Sequence, residues 1–265
     1  SGINMIHLRK FINKKNIFGY EKFVRKSTII EKYLLNKIYD DKIFKKKFKF
    51  DLIVSIFILE HVLDPKDYFL KISNLLSDKG LLLLQVPDID NNPYDFAIYD
   101  HTFHFSLETL KKILQENNFK IVYISNRVVR KEITCIAIKN NHKISYKVNQ
   151  QSEKNKKIVK NAHKFLLSNL NLFNRIIKKN KKIIIFGSSI SAIWIYNNFK
   201  KYIYGFVDED QNRIGRKVKK LIIFNINDKK ITKYPIFIPL MPNISKLINK
   251  RYPTYKFYYV KKYIK

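Results

Sequence analysis

Three short apolar runs that do not alternate with polar residues limit the folds open to this chain. They are residues 52–59, interrupted only by Ser55, residues 80–86 around four consecutive leucines, and residues 183–186. An alternating strand buries one face, whereas a strand apolar at nearly every position belongs in a sheet covered on both faces. Helix signals follow the first two. Asp64-Pro65 is a start signal, and Tyr68, Phe69, Ile72, Leu75 and Leu76 then share one face. Ser106 fits an N-cap ahead of Leu107, Leu110, Ile113 and Leu114. Strands alternating with helices predict an α/β fold.

Two α/β halves are expected, at 1–140 and 181–265, joined over 141–180 by a polar linker and a helix. In the first, residues 17–21 read as a strand ending on an acid and 26–35 as a helix. Asp78-Lys79-Gly80 reads as a turn, and 119–126 with 132–139 as an antiparallel pair. The connecting helix is expected over 153–178, where Ile158, Ala162, Phe165, Leu166, Phe173 and Ile177 are spaced for one face. In the second half, the strand at 183–186, a helix at 190–199 and a strand at 203–207 leading to Asp208 make a βαβ unit. Further strands are expected near 221–225 and 235–239.

Composition excludes several classes. Among 265 residues, 46% are hydrophobic and 14% aromatic, which supports a sizeable core and argues against disorder. No apolar run approaches the ~20 residues of a membrane span. The single Cys135 excludes a disulfide framework and a cysteine-rich zinc site. With no signal-peptide pattern at its start, a soluble cytoplasmic protein is expected. The net charge of +32 points at first to nucleic acid. Only 8 of the 53 basic residues are Arg, however, and the lysines are scattered through every segment. Nucleic-acid sites lean on Arg forks, so no specific nucleic-acid binding is expected. The charge instead favours small anionic ligands such as nucleotide sugars.

Several blocks occur in a telling order: Phe50-Asp51-Leu52-Ile53, then Leu59-Glu60-His61 and Asp64-Pro65, then Leu75-Leu76-Ser77-Asp78-Lys79-Gly80, then Val86-Pro87-Asp88. Asp100-His101-Thr102-Phe103-His104-Phe105-Ser106 and Asn118-Phe119 follow. Together they resemble class I S-adenosylmethionine-dependent methyltransferases over roughly residues 1–140. Leu81 stands where that family has a second glycine. The resemblance implies a Rossmann-like methyltransferase domain with S-adenosylmethionine as cofactor. It places Glu21 on the ribose hydroxyls, Asp40 or Asp41 at the adenine amine, Ser55 and Phe57 beside the methyl donor, and Gly2 in the tail of the glycine loop. His61, His101 and His104 fall in loops facing the implied acceptor. Imidazole is the side chain whose charge changes near neutral pH, so one of the three could serve as general base. Glu60 could orient a loop or a substrate group. The spacing of these His and Glu residues matches no recognised metal pattern, so no metal is expected.

The family's first strand and its D-x-G-x-G loop would lie just before residue 5, and Met5 to Ile12 would be the helix after it. The resemblance therefore implies residues upstream of Ser1. Its alternatives are a fragment or a naturally truncated remnant that binds or scaffolds without catalysis. In the second half, Phe186-Gly187-Ser188-Ser189 lacks a full dinucleotide fingerprint. Gly205-Phe206-Val207-Asp208-Glu209-Asp210, with Arg213, Gly215 and Arg216, resembles a segment of Rossmann-like modules found on bacterial sugar methyltransferases and on sugar-modifying acyltransferases. The helix N-terminus after Gly187, with Arg213 or Arg216, could hold a diphosphate; a pure packing role stays open. The expected function is methyl transfer to a small anionic acceptor, a nucleotide-linked or surface-glycan sugar in bacterial polysaccharide biosynthesis.

Overall fold

The computed structural model describes residues 9–21, 36–140 and 151–263. The helix expected over 26–35 lies outside them. Of the one expected from Met5 to Ile12, residues 9–12 form a turn and the rest lies outside.

Three sheets organise the described residues. Strands β1 (Phe18–Tyr20) and β2 (Lys37–Tyr39) form a parallel pair. A four-stranded sheet has the order β3-β4-β6-β5, with β3 (Phe50–Ile56) parallel to β4 (Leu76–Pro87). Strands β5 (Phe119–Ser125) and β6 (Glu132–Lys139) complete it antiparallel. A six-stranded sheet has the order β12-β11-β7-β8-β10-β9. Its strands are β7 (Ile183–Phe186), β8 (Ile203–Asp208), β9 (Lys217–Val218), β10 (Leu221–Asn225), β11 (Ile236–Phe237) and β12 (Phe257–Tyr258). All but the β9–β10 pair are parallel.

Local signals explain the helices. Helix α1 (Pro65–Leu75) starts with Pro at its first turn, and the Asp64 side chain accepts from the Asp67 N–H at 3.1 Å. Helix α2 (Leu107–Glu116) is held by a reciprocal capping box between Ser106 and Thr109. Phe69 and Ile72 of α1, and Leu110 and Leu114 of α2, pack on Leu82, Leu84, Val86, Ile133, Cys135 and Ala137. Burial there pushes the Cys135 thiol up to about 12, so it serves as an inert core residue.

The opposite face corrects the reading of β3 as covered on both sides. Leu52, Val54 and Leu81 are 41%, 39% and 40% exposed. β3 is an edge strand among the described residues. The turn expected at Asp78-Lys79-Gly80 is instead a bulge inside β4. Phe50 pairs with Leu76 and Leu52 with Leu81, so residues 77–80 loop out against a single residue of β3. Gly80 is required there, because a Cβ would meet Leu76 Cγ at 2.8 Å and the Phe50 carbonyl at 2.9 Å. Gly80→Ala is expected to cost about 1–3 kcal/mol of stability, read by urea denaturation.

The long helix α3 (Gln151–Ile177) joins the two parts, and helix α4 (Ile190–Phe199) completes the β7–α4–β8 crossover. Helix α5 (Pro242–Arg251) and the two-residue strands β9 and β12 are additions to the sequence reading. Strand order reverses at β7, which has β8 on one side and β11 on the other, so a crevice opens at their carboxyl ends.

Candidate functional site

The Leu-Glu-His and Asp-His-x-x-His blocks meet in space. Leu59–His61 forms one 3-10 turn after β3. The loop after β4 is shaped by fully buried Asp88, which accepts from the Asp90 N–H (3.1 Å), Asn91 Nδ2 (2.5 Å) and Asn126 Nδ2 (2.9 Å). It leads into a second 3-10 turn, Pro93–Ala97. The chain then returns along the first turn. The Glu60 backbone carbonyl accepts from the N–H groups of Thr102 (2.8 Å) and Phe103 (3.2 Å) and from the Thr102 hydroxyl (3.1 Å). Thr102 also donates to the Val62 carbonyl at 3.0 Å. That zipper is the physical content of the spacing between the two blocks.

At the centre lies Asp95, a residue the sequence reading did not single out. It is fully buried. Its Oδ1 lies 2.8 Å from His101 Nδ1 and its Oδ2 lies 2.5 Å from His104 Nδ1. One carboxylate thus takes an N–H from each ring and leaves Nε2 of both as the lone-pair nitrogen. The His101 side chain is 6% exposed and that of His104 is 25% exposed, so His104 is the more accessible of the pair. His61 is more open, with Nδ1 3.0 Å from the Asp100 carbonyl and 3.4 Å from its Oδ2. Glu60 is 1% exposed, and neither carboxylate oxygen has a hydrogen-bond partner. Burial pushes its carboxyl up to about 7.

Aromatic packing fixes the Asp95 turn from the other side. The Tyr94 ring lies 5.9 Å from Phe165 of α3 and 5.8 Å from Trp194 of α4, and Phe165 meets Tyr263 at 5.2 Å. Phe96 stacks edge-on against His104 at 4.4 Å.

The residues expected at the cofactor lie at or near carboxyl ends of parallel strands. Glu21 directly follows β1; its side chain is exposed and its N–H donates to the Tyr39 carbonyl at 3.0 Å. Asp40 caps the turn Asp41–Lys45 by accepting from the Lys42 N–H at 2.9 Å. Asp41 accepts from the Tyr20 hydroxyl at 2.6 Å; burial and this bond raise the Tyr20 phenol. Ser55 is buried and accepts from the Tyr68 hydroxyl at 2.6 Å. Phe57 follows β3 with φ 55°, a backbone state that a bulky side chain rarely adopts, and its ring is 41% exposed. Gly2 lies outside the described residues. Carboxylate acceptors such as Glu21 and an exposed aromatic such as Phe57 are side chains that suit ribose hydroxyls and a flat base, so these residue types fit S-adenosylmethionine.

A cleft of about 280 Å³ occupies the crevice of the six-stranded sheet, lined by Gly187, Ser188, Ser189, Asp208, Glu209 and Arg213 among others. Gly187 takes φ 84° there, which suits a residue without Cβ. Arg213 faces Asp208 at 3.6 Å and Asp210 at 3.2 Å and donates to Ser188 Oγ at 3.2 Å. Arg216 is exposed and does not line the cleft. No helix among the described residues is long and apolar enough to cross a membrane.

Residues 1–124 match the model of a family described as a methyltransferase domain. Over those residues, a little under half of its length, the chain is similar to methyltransferase domains of Rossmann-like fold, whose cofactor is S-adenosylmethionine. No curated protein matches the sequence. Solved structures similar to it include an S-adenosylmethionine-dependent methyltransferase from Clostridium acetobutylicum, 15% identical over 48% of this chain and 76% of that one, with TM-score 0.37. Another, from Mesorhizobium loti, is 13% identical over 52% and 86%, with TM-score 0.41. A third is a complex of the Haloferax volcanii Trm112 methyltransferase activator with a methyltransferase, 10% identical over 54% and 80%, with TM-score 0.44. Likeness at these scores says nothing of substrate or partner.

Proposed function

We propose that this protein transfers a methyl group from S-adenosylmethionine to a hydroxyl of a small anionic acceptor, a nucleotide-linked or surface-glycan sugar. Buried Asp95 bonded to both His101 and His104 carries this reading. When bound, S-adenosylmethionine supplies an electrophilic methyl group. Glu21 holds the ribose hydroxyls, and Phe57 covers the adjoining surface. His104 takes the acceptor proton on Nε2, while Asp95 fixes its tautomer and stabilises the imidazolium. The surplus of Lys draws an anionic acceptor toward the site. The cleft at Ser188 and Arg213 binds the remainder of the acceptor, its acids Asp208 and Glu209 suiting sugar hydroxyls. The division into 1–140, 141–180 and 181–265, a cytoplasmic location and a role in polysaccharide biosynthesis belong to the same proposal.

The test joins two measurements. Calorimetric titration with S-adenosylhomocysteine should show binding that Glu21→Ala weakens by about tenfold, the worth of one hydrogen bond to a charged group, and that His104→Gln spares. Radiolabel from S-adenosylmethionine should enter a nucleotide sugar, and His104→Gln should abolish most of that transfer. Full turnover by His104→Gln would remove the base assignment. Cofactor binding without transfer to any sugar would overturn the acceptor class.

A further inference from the structure

We infer that Glu60, His61 and His101 form a binding site for one divalent transition-metal ion of borderline softness, with Zn²⁺ as the type. One donor atom from each residue lies within 4.8 Å of the other two. Two imidazoles and one carboxylate, with further positions left open, are a donor set such ions use.

Two observations separate this cluster from a chance meeting of polar side chains. The first is Glu60 itself. A carboxylate 1% exposed, with both oxygens lacking a partner, is costly unless something satisfies it. The only described His or acidic groups within that reach as a set of three are His61 and His101. The second is how the rings are held. His61 Nδ1 sits 3.0 Å from the Asp100 carbonyl, and His101 Nδ1 sits 2.8 Å from Asp95 Oδ1. Each ring thus gives its N–H to an oxygen and keeps the Nε2 lone pair for a ligand. Metal-bound histidines are oriented this way by the groups behind them. Asp95 serves as such a backing group rather than as a ligand, because its oxygens already lie 2.8 and 2.5 Å from the two imidazole nitrogens, too close to admit an ion between them.

The geometry needs only a small adjustment. A tetrahedral ion with bonds of about 2.0–2.1 Å holds its donors about 3.3 Å apart, against the 4.8 Å within which one nitrogen of each ring and an oxygen of Glu60 already lie. The His61 side chain is 37% exposed and has room to turn. The rings of His61 and His101 already meet edge-to-face at 4.7 Å. Bound there, the ion would tie the Leu59–His61 turn to the loop after Asp100 and present an open coordination position beside the proposed base.

The experiment uses the untagged full chain, stripped with a chelator and titrated with Zn²⁺ by calorimetry, and with Co²⁺ followed by its visible absorption. One tight equivalent is expected, with Co²⁺ bands of low-coordinate intensity. Glu60→Gln and His61→Ala should each weaken the affinity by at least about 10- to 100-fold, as loss of a supporting group alone already does. His163→Ala, on the exposed side of α3, should leave it unchanged. Absence of a tight equivalent overturns the inference, and so does wild-type affinity in either Glu60→Gln or His61→Ala. Metal content is read without cofactor or acceptor, so this result is independent of the methyl-transfer reading.

Discussion

Asp95→Asn is expected to lower methyl transfer by about 10²- to 10⁴-fold while leaving S-adenosylhomocysteine binding unchanged. The substitution keeps shape and volume at a fully buried position. It changes the count of acceptors. The carboxylate offers an oxygen to each of two Nδ1–H groups, at 2.8 and 2.5 Å. An amide has one oxygen and one NH₂ group, so one ring must face a donor. With the NH₂ group toward His104, that ring must place its proton on Nε2, the nitrogen proposed as base. Initial rates beside a calorimetric titration decide the matter. An equal loss of cofactor affinity would move Asp95 into the binding site, and a wild-type rate would remove it from the reaction.

Phe173→Ala is expected to remove about 3–5 kcal/mol of stability, the range for truncating a buried aromatic. Phe173 is fully buried at the end of α3. Its ring stacks on Phe199 at 4.5 Å and meets Phe237 edge-on at 5.1 Å, so it ties α3 to both α4 and β11. No small rearrangement refills that volume between a helix and a sheet. Leu167→Ala, on the exposed face of the same helix, should change stability by less than about 0.5 kcal/mol. A urea series on the two variants gives the comparison, and a Phe173 loss no greater than that of Leu167 would show that the core relaxes around it.

Much of this molecule was legible because local signals and burial agree. Asp64-Pro65 and Ser106 start helices as their side chains dictate, and the run at 183–186 is fully buried in a parallel sheet. The site was legible only in part. Asp95 sits in an irregular Pro-Tyr-Asp-Phe-Ala turn, where a lone acid carries no periodic mark. The available signal was Pro93 shortly after Asp88, two residues that build loops. Glu60 and His61 stand some forty positions before His101, so their meeting depends on a backbone zipper that no short spacing rule describes. Helix α5 has its signal in Pro242 and the spacing of Ile244, Leu247 and Ile248, but three apolar positions in ten residues make a weak periodic mark. The bulge at 77–80 followed from Gly80, but a glycine announces a turn and a bulge equally.

The aromatic contacts of Tyr94 bear on how such a protein can change over generations. Asp95 belongs to the first half by sequence, yet its neighbour is gripped by Phe165 and Trp194 of the helices beyond it. A gene fusion that brought in a foreign second half would arrive without partners for that tyrosine. It would loosen the Asp95 turn that holds His101 and His104. The two halves are therefore expected to be inherited as a pair.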